Sequence, residues 1–270
     1  MDNSDLGKRM KEYEGASQSR LTRRMPVIIR IDGKAFHNFT KGLWRPFDDL
    51  LIDSMQETMK YLCENIQGCV LGYHQSDEIS LFLVDYKRLE SAAWFDNKVQ
   101  KMCSIAASMA TLAFNRIFSS KALEIGTLAC LEAIKKGAMF DARCFTLPKE
   151  EVTNYFYWRQ QDAIRNSIQM VGQANFSHRE LQGKSCKQIQ EMLINEKGID
   201  WTDFSTYLQR GSCCIKEEYY VDTSGAEREL EIVIDPDLAT ESLYLRKRWI
   251  VDKVIPVFKG EGREYVEKLF

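Results

Sequence analysis

The order of apolar runs in the first half of the chain constrains its fold more than any other feature. Pro26-Val27-Ile28-Ile29-Arg30-Ile31 is a β-branched strand with a proline at its entrance and Asp32-Gly33 at its exit. Asp48 and Asp49 can cap a helix whose apolar residues Leu51, Met55, Met59, Leu62 and Ile66 recur at three- and four-residue steps and which stops at Gly68. Residues 69–73 and 79–84 read as a second and a third strand. His74-Gln75-Ser76-Asp77-Glu78 joins them as a hairpin with a polar, acidic tip. A second long helix is predicted over 96–119, with Met102, Ile105, Met109, Leu112 and Ala113 inward, and a fourth strand over 139–145. The succession is β-α-β-β-α-β, the split unit of an α+β, ferredoxin-like sheet with both helices on one face.

Residues 1–148 are thus read as a core preceded by a basic arm, and residues 149–270 as an appended region packed on that core rather than an independent unit. In the appended part we expect a helix over 155–173 and a helix capped at Ser185 that ends at Gly198. A hairpin joining 212–221 to 230–234 around Ser224-Gly225 completes it. Two tempting motifs carry no chemistry. Gly183-Lys184-Ser185 imitates the end of a phosphate-binding loop, but His178 stands where that loop needs its first glycine. Cys213-Cys214 are adjacent in a strand, so their side chains point to opposite faces and pack rather than react.

Lys+Arg 37 against Asp+Glu 39 leaves a formal charge of -2, which excludes a globally basic nucleic-acid binder. A polyanionic partner must then be held by local patches, at Arg20 to Arg24, Lys98 to Lys101 and Arg246-Lys247-Arg248, or by metal ions. The longest uncharged apolar stretch, 102–115, is too short to span a bilayer. The polar start at Met1-Asp2-Asn3-Ser4 lacks the pattern of a secretory signal, so a cytoplasmic location with no membrane contact is expected. The eight cysteines, none in a C-x-x-C spacing, are read as reduced, buried thiols.

In a β-α-β-β-α-β sheet the first and third strands are antiparallel central neighbours. The first leaves the sheet at Asp32 and the third begins at Asp77-Glu78, so Asp32 and Asp77 should face each other. A single acidic residue at a strand end is ordinarily a solvated turn residue. Two at the rim of one central strand pair form the hard-oxygen set that two Mg²⁺ ions need to bridge a nucleoside triphosphate and an attacking oxygen. Gly33 would let the backbone approach a metal or phosphate, and Lys34-Ala35-Phe36-His37 would offer backbone N–H groups to an anion. Lys98 and Lys101 lie one turn apart at the start of the second helix and are candidate triphosphate ligands.

Arg30-Ile31-Asp32-Gly33-Lys34-Ala35-Phe36-His37-Asn38-Phe39, with Arg45-Pro46-Phe47-Asp48 and Gly72-Tyr73-His74-Gln75-Ser76-Asp77-Glu78, resembles the tRNA(His) guanylyltransferase superfamily. Trp94-Phe95, Phe140-Asp141-Ala142-Arg143, Trp158-Arg159-Gln160 with Asp162, and Arg210-Gly211 extend the resemblance over most of the chain. It implies a palm-type polymerase core that adds nucleotides to the 5′ end of tRNA in the 3′→5′ direction. ATP first adenylylates the 5′-monophosphate, and the 3′-hydroxyl of GTP or another triphosphate then attacks. By the same resemblance Asp32, Asp77 and the Gly33 carbonyl hold two Mg²⁺ ions. Asp32, Gly33, Lys34, Ala35, Phe36, His37, Arg45, Ser76, Asp77, Lys98 and Lys101 contact nucleotide, Asp32, Asp77 and Glu78 are the catalytic acids, Glu78 standing behind the metal ligands or positioning the substrate, and the protein is a homo-oligomer, a tetramer.

One segment departs from the family. Eukaryotic enzymes that add the histidine-identity guanosine carry His-Ile-Asn-Asn-Leu-Tyr-Asn, where this chain reads Ile164-Arg165-Asn166-Ser167-Ile168-Gln169-Met170. That is similar to the guanylyltransferase-like branch of bacteria and archaea and implies template-dependent repair of tRNA 5′ ends. The alternatives are guanosine addition to tRNA(His), a palm-type nucleotide cyclase using free triphosphate, and a non-catalytic RNA-binding module.

Overall fold

The computed structural model describes residues 4–223, 226–228 and 243–270. Its centre is an antiparallel sheet built from β1 (Val27–Gly33), β2 (Cys69–Gln75), β3 (Glu78–Leu83) and β4 (Phe140–Thr146), in the order β4-β1-β3-β2. This is the order that the β-α-β-β-α-β succession requires. The odd residues Val27, Ile29 and Ile31 face one side of β1, and Ile28, Arg30 and Asp32 face the other, as the two-residue period of a strand dictates.

On the first side lie α3 (Asp49–Asn65) and α4 (Val99–Ile125). Asp48 caps α3, its carboxylate accepting from the N–H of Leu51 at 3.0 Å, and Met55, Met59 and Leu62 are fully buried as the periodicity predicts. The inner stripe of α4 differs from the expected one: it runs Met102, Ala106, Ala110, Ala113, Phe114, Phe118 and Ala122, while Leu112 is 48% exposed. Alanine at three consecutive inward turns lets the helix axis approach closely, and the bulkier Ile105 and Met109 flank the contact, partly buried. An aromatic cluster of Phe36, Phe39, Phe114, Phe118 and Phe140 ties the short helix α2 (Phe36–Phe39) to α4 and β4.

The other side of the sheet is covered by α6 (Lys149–Asn175), longer at both ends than the predicted 155–173 because Pro148 and two first-turn acids, Glu150 and Glu151, start it early. Val152, Tyr155 and Phe156 pack there against Ile28, Tyr73 and Phe82. Four smaller helices accompany these: α1 (Asp5–Ala16), α5 (Leu128–Lys136), α7 (His178–Leu181) and α8 (Cys186–Met192), with α9 (Thr206–Arg210) leading into the next strand. Ser185 caps α8 in a reciprocal pair with Gln188, and Gly198 ends the turn that follows at φ 66°. The lysine motif there is a helix start, as its spacing indicated.

β5 (Ser212–Val221) extends the sheet beyond β2, pairing through Gly72↔Cys214 and His74↔Ser212. Its long partner is β7 (Tyr244–Asp252), which the sequence did not announce, and β6 (Glu227–Arg228) pairs with its end. The expected turn at Ser224-Gly225 and the strand over 230–234 lie outside the described residues. Cys213 and Cys214 go to opposite cores as predicted, and all eight cysteines are free. Residues 5–16 form a helix that buries nothing. Among the described residues no helix is long and apolar enough to cross a membrane.

Candidate active site

The register places Asp32 opposite Glu78 on the neighbouring strand, and the Gly33 N–H donates to the Asp77 carbonyl at 3.1 Å. The end of β1 and the start of β3 are thereby sewn together, so the two aspartates predicted to face each other are neighbours. Burial pushes the Asp77 carboxyl above its ordinary value. Its own N–H opposes that shift, and the charges of Asp32 and Glu78 add to it. Asp32 is only loosely compensated, with Arg143 at 3.8 Å.

Gly33 also has a packing requirement: a Cβ there would lie 2.3 Å from the Phe36 ring, in space that the aromatic cluster fills. Lys34 donates its N–H to Met139, and Ala35 turns the chain in the left-handed conformation, φ 51° and ψ 41°, into α2.

Beside Asp77 opens a cleft of about 590 Å³, well suited in size to a nucleotide. Gly33, Ala35, Phe36, His37, Arg45, Ser76 and Asp77 line it, together with Asn166, Ser167 and Met170 of α6 and Tyr207 of α9. Phe36 is itself buried, so the exposed polar side chains at this wall are His37, Arg45 and Ser76. Lys98 and Lys101 are not brought to the cleft. The start of α4 lies beside Cys144 of β4, with the Cys144 thiol against the Val99 carbonyl, and the helix reaches the Asp32 end of the sheet only near Thr111, whose hydroxyl takes the Phe140 N–H. Twelve residues of helix separate those points by about 18 Å. The Lys101 ammonium sits 4.7 Å over the Phe95 ring instead.

Glu78 is buried and fully engaged. Arg159 of α6 donates to both of its oxygens, at 2.8 and 3.0 Å, Arg30 donates at 2.6 Å, and Ser80 and Gln75 add weaker bonds. Burial pushes its carboxyl up and the two guanidinium groups oppose that shift. Glu78 therefore has no oxygen turned to substrate; it locks α6 to the sheet. The sequence signal was the Trp158-Arg159-Gln160 segment with Asp162, which also accepts from Arg159 at 2.6 Å, but nothing in it named Glu78 as the partner. Tyr155, pushed up to about 12 by burial, shares a hydrogen bond with Ser80 at 2.8 Å beside this pair.

Among the described residues no group of three or more His, Cys, Asp and Glu side chains is assembled for a metal ion. Two carboxylates and a strand-end carbonyl are instead hard oxygen donors of the type Mg²⁺ takes, with negative charge left over for it. Of the three basic patches, Arg20 and Arg23 pair with Asp96, Lys247 with Glu218, and Arg248 with Glu217 and Glu227.

A family model described as Thg1, tRNAHis guanylyltransferase, matches residues 7–148. The chain belongs to the tRNA(His) guanylyltransferase family. It is thus a nucleotidyltransferase. A solved bacterial tRNA(His) guanylyltransferase (Thg1)-like protein in complex with ATP is 42% identical, with a TM-score of 0.81 and 98% of each chain covered. One in complex with GTP is 41% identical, with a TM-score of 0.76, covering 98% of this chain and 99% of that one. Among sequence relatives, protein R259 of Acanthamoeba polyphaga mimivirus, described as uncharacterized, is 27% identical over 77% of this chain and 76% of its own length. The Saccharomyces cerevisiae tRNA(His) guanylyltransferase is 26% identical over 69% and 80%. This family member therefore shares its whole fold with guanylyltransferase-like proteins that hold ATP or GTP.

Proposed function

We propose that the chain is a ferredoxin-like, palm-type polymerase that adds nucleotides to the 5′ end of tRNA in the 3′→5′ direction, directed by the opposing strand, to repair shortened ends. The observation that carries this reading is the adjacency of Asp32, at the end of β1, and Asp77, in the turn that leads into β3, beside a cleft of nucleotide size that Asp77 lines. Asp32, Asp77 and the Gly33 carbonyl would hold two Mg²⁺ ions, which supply Lewis-acid activation of the 3′-hydroxyl and neutralise charge on the departing group. The chain's own residues do the rest. Arg45 presents the cation at the cleft wall for a triphosphate, the turn from Gly33 to His37 follows the phosphates, and Ser76 closes the other side. Asn166, Ser167 and Met170 wall the cleft from α6, and they belong to the segment that departs from the eukaryotic motif. The departure thus falls where an incoming nucleotide would be read, which favours template-directed repair over obligatory guanosine addition.

The test is incubation with ATP, Mg²⁺, labelled triphosphates and a tRNA lacking its first nucleotide, with the opposing base varied. Incorporation that follows the opposing base supports repair. Guanosine added whatever the base selects the tRNA(His) activity, and a cyclic product formed without RNA selects a cyclase. Asp32→Asn and Asp77→Asn should each abolish incorporation with the fold retained; full activity in both would overturn the site.

A further inference from the structure

The turn that carries Asp77 is held from beneath by a buried chain of hydrogen bonds that the reaction scheme above leaves unused. His74, in β2 two residues before the turn, points its ring into the interior, where it is 4% exposed. Its Nε2 lies 2.9 Å from the Ser76 carbonyl. A carbonyl can only accept, so Nε2 carries the proton and Nδ1 is the acceptor. Nδ1 faces the Ser212 hydroxyl of β5 at 3.5 Å, and that hydroxyl receives the Gln56 amide of α3 at 3.1 Å. Ser212 and Gln56 are as buried as the histidine. The three side chains form one directed line, Gln56 to Ser212 to His74 to the Ser76 carbonyl, in which each donor meets one acceptor.

The backbone explains why that carbonyl matters. Ser76 sits at φ 52°, the left-handed region that a residue with a Cβ enters at a cost of about 1–2 kcal/mol. In a trans peptide the carbonyl and the following N–H point opposite ways. Fixing the Ser76 carbonyl on the interior side therefore turns the Asp77 N–H outward, where it bonds the Asp77 carboxylate. The same turn leaves the Asp77 carbonyl on the Gly33 N–H. Gly211, at φ 86°, closes the line from above: a Cβ there would come within 2.4 Å of the His74 carbonyl, so the chain entering β5 can lie on the hairpin only as glycine.

We infer that His74, held in one tautomer by Ser212 and Gln56, is a positioning residue that aims the Asp77 carboxylate through the Ser76 carbonyl, and that this line couples the appended region to the catalytic hairpin. The inference rests on the reading of Asp77 as a site residue, and its test has one arm that does not.

Two amide replacements separate the histidine's two bonds, because a glutamine amide reaches the place of Nε2 and an asparagine amide only that of Nδ1. Amide hydrogen exchange at Asp77 is measured on the protein alone, and kcat and KM for the triphosphate are measured in the incorporation assay. His74→Gln should keep Asp77 exchange within about threefold of wild type and retain most of kcat. His74→Asn should speed Asp77 exchange tenfold or more and lower kcat on the order of 10–100-fold, the usual loss when the partner that orients a ligand is removed. KM should stay within about threefold in both. Ser212→Ala should fall between them. Equal exchange and equal kcat in the Gln and Asn variants would overturn the inference. Faster exchange in the Asn variant with unchanged kcat would keep the tie to the turn and remove its role in the reaction. If instead Asp77→Asn is fully active, the assignment of the site fails while the exchange result stands on its own.

Discussion

Replacing Arg159 by methionine tests whether Glu78 is held or holds. The substitution keeps length and apolar bulk but removes both bonds to Glu78, at 2.8 and 3.0 Å, and the bond to Asp162 at 2.6 Å. Deleting one partner of a buried ion pair costs about 3–5 kcal/mol, because the remaining charge loses its compensation in a place water does not reach. Arg30 still reaches one Glu78 oxygen at 2.6 Å, which puts the expected loss near the lower end, about 3 kcal/mol. For a chain of this size a melting temperature moves by about 2 °C per kcal/mol, so thermal unfolding at pH 7 should fall by roughly 6 °C. Glu78→Gln should be costly for the same reason. The double variant Glu78→Gln with Arg159→Met should recover part of the loss, since neither position then strands a charge on the other, while Arg30 still loses its carboxylate partner. Methionine at 159 that lowers the melting temperature by less than about 1 °C, or losses that simply add in the double variant, would refute the picture of Glu78 as the anchor of α6.

Other substitutions probe the rest of the site. Gly33→Ala pushes a Cβ into the Phe36 ring, at 2.3 Å, and should destabilise by about 1–3 kcal/mol; combining it with Phe36→Leu should return part of that in urea unfolding. Burial lowers the His74 imidazole to about 4, and the groups bonded to it, Ser76, Ser212 and through it Gln56, are uncharged. The unfolded chain therefore takes up a proton near pH 6.5 that the folded one refuses, so this contribution is intact above pH 6.5 and is lost progressively toward pH 4, about 3 kcal/mol in all. His74→Gln should flatten that acid limb of a stability-against-pH curve, and an unchanged limb would count against a buried neutral ring. The Cys144 thiol is pushed up to about 12 by burial and by Cys103, whose sulfur lies 3.5 Å away. Iodoacetamide at pH 8 should label Cys144 on the order of a thousandfold more slowly than a free cysteine, read by mass spectrometry of the digest.

The parts of this fold that were legible in the sequence are those fixed by local chemistry. The β-branched run ending in Asp32-Gly33, the aspartate that caps α3 and the serine that caps α8 each specify their element within a few residues, and all three stand as read. The meeting of Asp32 with the hairpin followed from strand order alone. What could not be read depends on partners far along the chain. β7 pairs with β5 residue by residue from Cys213↔Asp252 to Val221↔Tyr244, yet nothing near either strand names the other. In α4 the bulk of Leu112 drew it inward on paper, whereas close helix packing selects the alanines. The basic patches looked like free contacts for RNA because a charge count cannot show that Asp96, Glu217 and Glu218 stand beside them.

The same distinction separates three acids that adjoin in sequence or in space. Glu78 is met by two guanidinium groups and sits in the interior, so its charge is spent on holding α6 to the sheet. Asp32 has one arginine at 3.8 Å and remains partly exposed, and Asp77 leans on its own N–H. A carboxylate compensated inside the protein gains little from an added cation, and one left short of partners gains much, because the interaction is not already saturated. The local charge balance therefore distinguishes Glu78 from its neighbours in role, although the three are alike in type. The distinction arises from α6, which lies more than seventy residues further along the chain and delivers Arg159 to Glu78 and to neither aspartate of the site. The appended half of the molecule is in that sense part of the site: it neutralises the acid that must stay in place and leaves less compensated the two aspartates, of which Asp77 lines the cleft.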